Sequence, residues 1–241
     1  MKFSPAFHLL LCLTIGCSSN EIGNSKDVNP QTIFVRYSVF GEENNDSVTC
    51  SAQFRFAGED GTTLVLNEPS NIRLDEMEIA VDSSVGMGAL YEKKFKTAVF
   101  AGSHAWRYTD GEMNSYPATF AFIPFSLKSP LPTAVSRKDS LLIELNGLPN
   151  GTFITTALSD TSSSTDDVIL KNKIDEGRFT IPSTVWQKLG PGPVAIQISN
   201  TVDTTLPIGE RPAEGGRIFV TYALQERTVD LRDDSARFAS E

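Results

Sequence analysis

Apolar and polar residues alternate along most of this chain. In residues 32–40, Ile33, Val35, Tyr37 and Val39 fall on one face. In residues 48–56 every even position is apolar and every odd one polar. A period of two is that of a half-buried β-strand. Similar short runs follow at 62–66, 72–74, 91–100, 104–108 and 116–125, and Met77, Ile79 and Val81 alternate with Glu76, Glu78 and Ala80. Asp110-Gly111 lies between two of these runs and predicts a hairpin. The second half repeats the style at 141–145, 151–158, 178–181, 194–199 and 217–224, the last placing Ile218, Val220, Tyr222 and Leu224 on one face. One helix is predicted, capped by Ser183, formed by residues 185–189 and stopped by Gly190-Pro191.

Many short strands with frequent turns predict an all-β protein of antiparallel β-sandwiches. Pro124, Pro130 and Pro132 cluster around a Ser/Lys stretch, which puts a boundary near residue 129. The expected division is a first sandwich over 31–128 and a second over 129–229, followed by a charged tail over 230–241. No exact repeat links the halves. Residues 18–30 are polar and aperiodic and read as a flexible tether.

The N-terminus changes the picture. Lys2, an apolar run over 7–15 and the small Gly16 form a secretory signal, too short to span a bilayer as a helix. Its end, Leu13-Thr14-Ile15-Gly16-Cys17, resembles the lipobox of bacterial lipoproteins. The resemblance implies cleavage after residue 16, acylation of Cys17, and a lipid-tethered protein of the cell envelope. Thr14 stands where leucine is commoner. Ser18, in place of an inner-membrane-retaining Asp, points to the outer membrane. An ordinary secretory signal containing Cys17 has the same layout and stays open.

Cleavage would remove Lys2 and take the 21 basic residues to 20, against 30 acidic, a net charge of −10. Such a surface repels phosphate backbones, so nucleic acid is not an expected partner. Cys12 leaves with the signal and Cys17 is spent on lipid, so Cys50 is a single thiol with no disulfide partner. It lies on the apolar face of its strand and is expected in the core.

The lipobox with two sandwich halves resembles a type of uncharacterised lipoprotein of gut and environmental Gram-negative bacteria. The residues that carry this are Gly61-Thr62-Thr63-Leu64-Val65-Leu66 with Ile72-Arg73-Leu74, Val135-Ser136-Arg137-Lys138-Asp139-Ser140-Leu141, and Gly216-Arg217-Ile218. The resemblance implies tandem immunoglobulin-like (Ig-like) domains and no catalytic residues. Four triplets, beginning at Asp46, Asp139, Asp203 and Asp234, also resemble the Asp-Ser/Thr O-glycosylation motif of such bacteria.

Candidate chemistry is sparse. The mature chain would have one histidine, His104, expected on a surface or edge strand. One His and one buried Cys do not make a zinc site, and no G-x-S-x-G elbow or Walker loop is present. Glu42-Glu43 and Asp166-Asp167 read as solvated turns. The run 160–167 offers oxygens without the spacing of a calcium loop. No cofactor and no metal are implied. Trp106, Tyr108 and Tyr116 remain. Exposed, they would form a glycan-stacking platform; buried, a core pair with its neighbour. Trp186, on the short helix, is expected in the core. The expected function is a non-enzymatic envelope lipoprotein, an interaction or structural module at the outer membrane. Its expected partners are the membrane and an envelope protein or polysaccharide. Glycan binding near Trp106 is the alternative, and an envelope hydrolase the last.

Overall fold

A computed structural model describes residues 22–82, 88–160 and 167–233. The first lobe is made from β1 (Ile22–Asn24), β2 (Ile33–Glu42), β3 (Ser47–Phe56), β4 (Thr63–Val65), β5 (Asn71–Leu74), β6 (Met77–Glu78), β7 (Val81–Asp82), β8 (Leu90–Lys96), β9 (Gly102–Thr109) and β10 (Ser115–Phe122). Antiparallel β2–β3–β8 forms one layer, and β6–β5–β9–β10 faces it. The second lobe uses β11 (Ser126–Leu127), β12 (Ala134–Ser136), β13 (Leu141–Asn146), β14 (Phe153–Asp160), β15 (Val168–Lys173), β16 (Arg178–Ile181), the helix α1 (Ser183–Trp186), β17 (Gly192–Thr205), β18 (Gly215–Ala223) and β19 (Arg227–Arg232). Here β11–β13–β16 faces β15–β14–β17–β19, with β12 added in parallel to β19. Both lobes thus share the strand order of Ig-like sandwiches, although no sequence repeat relates them.

The alternation explains the layers. Ile33, Val35, Tyr37 and Val39 of β2 and Val48, Cys50, Ala52 and Phe54 of β3 are all buried, so both strands turn their apolar face to the same core. Gly41 is in β2 because the layers approach closely there; a Cβ would lie 2.6 Å from the Phe122 ring.

The lobes are not two beads. β17 has 14 residues, about 46 Å at the usual rise, and belongs to both. Its first part pairs with β14 and β19 of the second lobe, and its last part, from Ser199 on, pairs with β18. β18 then lies parallel to β2 of the first lobe, in register from Gly215↔Phe34 to Ala223↔Glu42. The hairpin made by the end of β17 and β18 is therefore an arm of the second lobe that widens the first lobe's sheet. Strand pairing crosses the division drawn near residue 129.

Register also fixes the two ends. β2 begins, and β3 and β9 end, at the pole of the first lobe that holds the hairpin tip. The chain enters the described structure there, where Ile22 pairs with Thr63. The opposite pole, in the second lobe, holds the start of β17 and the end of β19.

Several local expectations are corrected. Residues 22–30, read as tether, are folded: β1 pairs with β4, Ser25 is buried, and its hydroxyl accepts from Asn67 N at 2.9 Å. Residues 230–232, expected in a charged tail, belong to β19, where Leu231 is buried. Met77, Ile79 and Val81 do not share a face. Asp75 and Glu76 take φ of 48° and 64°, a tight turn that pairs β6 with β5, and the chain then crosses so that β7 pairs with β8. Met77 and Val81 are exposed and Ile79 is buried. Ser183 is the first residue of α1 rather than its cap, since Pro182 occupies that place without a side-chain bond.

Candidate functional site

Trp106, Tyr108 and Tyr116 come together as expected, but inside the first lobe. Trp106 and Tyr108 are fully buried. Trp106 stacks on Tyr37 at 5.1 Å between ring centroids with 6° between planes. Tyr108 lies 4.6 Å from Phe54 and 5.7 Å from Tyr116. Tyr116, 9 % exposed, donates its hydroxyl to Asp110 Oδ2 at 3.1 Å and accepts from Gln31 Nε2 at 3.0 Å. A sugar needs a free ring face, and these faces are occupied by other rings, so the glycan platform drawn on them is not formed. Burial, then the Asp110 charge, pushes the Tyr108 hydroxyl pKa well up. Asp110 also accepts from Glu112 N and Asn114 N, both at 2.9 Å, which staples the β9–β10 turn.

Cys50 is fully buried, and burial, with a smaller contribution from Asp75, pushes its thiol pKa up to about 12. His104 lies on β9, inside its sheet rather than at an edge. Its Nδ1 is 2.6 Å from Asp75 Oδ2 and its Nε2 is 2.7 Å from the Phe100 carbonyl. The ring stacks on Phe100 at 3.9 Å. With both nitrogens occupied, the imidazole is a strut between two turns and offers no base to a nucleophile. Among the described residues, no group of three or more His, Cys, Asp or Glu could hold a metal. Cys17 and most of the 160–167 run lie outside the described residues, as does Asp234.

The most developed polar construction is the junction between lobes, which the sequence did not announce. Glu43, read as a solvated turn residue, is a clamp. Its Oε2 accepts from Arg227 Nη2 at 2.7 Å and from Gln225 N at 3.0 Å, and its own N–H donates to the Ala223 carbonyl at 2.8 Å. Asn44 Nδ2 donates to Gln225 Oε1 at 3.0 Å. Further along the arm, Arg36 and Arg217 lie over Phe219 at 4.7 and 5.0 Å. Arg217 makes a two-pronged bond to Asp203, at 2.7 and 2.9 Å, and Glu59 reaches both arginines. Beneath, Tyr222 meets Phe122 and Phe125 edge-on at 5.8 and 5.5 Å. Each exposed pair contributes little alone; the nine-residue ladder and the buried rings hold the arm.

Among the described residues no helix is long and apolar enough to cross a membrane. Fold and junction together define a tandem Ig-like β-sandwich protein whose second lobe reinforces its first. No family model matches the chain, and no curated protein does. Similar solved structures include fibronectin(III)-like modules of CbhA from Clostridium thermocellum, at 10 % identity and TM-score 0.25, covering 86 % of this chain and 97 % of that one. A tetra-tandem repeat from the extending region of a large adhesion protein is 12 % identical, TM-score 0.26, over 82 % of this chain, which spans 49 % of that one. The IG1+IG2 pair of DIP-gamma is 9 % identical, TM-score 0.24, over 83 % and 95 %. The sandwich assignment rests on strand order and not on these superpositions.

Proposed function

We propose that this protein is a lipid-anchored, non-enzymatic module of the cell envelope, facing the periplasm or the exterior from the outer membrane. It acts as a stiff spacer that holds its second lobe away from the bilayer for contact with an envelope protein. The observation that carries this is the shared sheet. The chain enters at one pole of the first lobe, and the second lobe projects from the other, joined through β17 and β18 rather than through a linker alone. Such continuity resists bending, whereas lobes joined only by a peptide linker move freely. Phe153 and Ile169 give the second lobe two exposed apolar residues on the solvent face of the β14–β15 pair. The lipobox at Cys17 supplies the anchor, since two or more acyl chains hold a protein firmly on a bilayer.

The test is fractionation of cells expressing the full chain and the Cys17→Ala variant, with radiolabelled palmitate. The unaltered chain is expected to take up label and sediment with membranes, and the variant to become soluble and unlabelled. A variant that stays with the membrane fraction would sink the anchoring.

A further inference from the structure

The anchor-side pole of the first lobe carries a feature that neither the fold nor the spacer role needs. Two loops there hold large apolar side chains out in solvent. Ile208, in the tip of the β17–β18 arm, is 92 % exposed, and Met113, in the β9–β10 turn, is 66 % exposed. Ile22, where the chain enters, is also exposed. The two loops flank one residue. Gln31 Nε2 donates to the Tyr116 hydroxyl beside the β9–β10 turn. Gln31 also accepts from the arm: Ala213 N donates to its Oε1 at 3.2 Å and Glu214 N to its carbonyl at 2.9 Å.

Neither loop is slack. Met113 sits at φ 66°, a left-handed conformation unfavourable for a side chain of its kind, and Asp110 staples its turn. Behind Ile208, Arg211 donates to the carbonyls of Leu206, Pro212 and Ala213 at 2.8, 3.1 and 3.1 Å. These loops are built to hold their side chains out. The distance to a bilayer is short. With residues 22–30 folded, five Cα steps separate Cys17 from Ile22, at most about 18 Å.

We propose that this pole is a membrane-contact surface, in which Ile208 and Met113 enter the headgroup layer of a zwitterionic bilayer and orient the protein upright on it. The proposal rests on acylation at Cys17. The lipid is zwitterionic because, with Glu59 paired to Arg36 and Arg217, the pole carries Asp27, Asp60, Glu112, Glu210 and Glu214 against Lys26, Arg55 and Arg211, an acidic excess that an anionic surface would repel. Apolar insertion beside an acyl anchor converts a flexible tether into a fixed orientation.

The test uses the acylated full chain in phosphatidylcholine vesicles, with and without brominated lipid as quencher. Tryptophan is placed by Ile208→Trp, by Met113→Trp, and by Gln187→Trp at the far pole as control. The native Trp106 and Trp186 are fully buried and stay constant. The first two variants are expected to show blue-shifted emission and to lose most of the added signal to bromolipid, and the control to lose none. Adding phosphatidylglycerol is expected to weaken the quenching. If the protein floats with the vesicles while the first two variants respond no more than the control, the pole is not a contact surface and the anchor stands. If the acylated protein does not float, the anchoring fails and this inference with it.

Discussion

Cys50 and Phe54 point the same way from β3, and that direction was legible from the alternation of residues 48–56 alone. The consequence is chemical. A fully buried thiol whose pKa is pushed to about 12 stays protonated in the native state well above the pH at which a free thiol ionises. Native protein at pH 8 is therefore expected to resist alkylation by iodoacetamide, and urea-unfolded protein to react at once; rapid native labelling would show that Cys50 is not inside. The folded pKa lies above the unfolded one, so the stabilisation is complete below about pH 9 and is lost as pH rises towards 12. Over that window the unaltered chain is expected to lose stability faster than Cys50→Ala, by about 1.4 kcal/mol per pH unit. Parity was less informative for Trp106 and Tyr108. Spacing shows that two residues share a face, but only the position of the second layer shows that the face is covered. Here that layer is β2 and β3, with Tyr37 and Phe54 against the two rings.

At the scale of elements, most strands could be read from apolar alternation; of those missed, β19 shows it in Val229 and Leu231 but its flanking charges read as a tail, and others show little. Residues 200–205 are polar or exposed on both sides, and they extend β17 only because β18 pairs with them. β15 alternates, but only between intermediate and exposed positions, because it is an edge strand. The parallel ladder between β2 and β18 has no local signal: its partners lie about 180 residues apart, and nothing in either strand names the other. The same holds for Glu43, an acidic turn residue in sequence and a clamp in space. Glu43→Ala is expected to lower stability by about 1–2 kcal/mol, the range for charge-assisted bonds reduced for a partly exposed pair. Arg227→Ala is expected to do the same, and the double variant to cost less than the sum of the two. Strict additivity in urea denaturation would mean that the pair is not coupled.

On the scale of the whole molecule, β17 and β18 join both cores, so neither lobe can lose its sheet without disturbing the other. Each lobe has one buried tryptophan, Trp106 in the first and Trp186 in the second. Removing either by Trp→Phe leaves a reporter for the other lobe. The two unfolding curves are expected to coincide in one transition; separate midpoints would show that the shared sheet does not couple the lobes. The arm also sets an order of events. β2 leaves the ribosome long before β18, and at 5–20 residues per second the delay is about 9 to 36 seconds. For that time the β2 edge is an open template for whatever strand it meets. The first lobe to be synthesised thus stays open until the second is nearly finished, and a chain that emerges N-terminus first must shield that edge, on its own or in the grip of a chaperone, until β18 arrives.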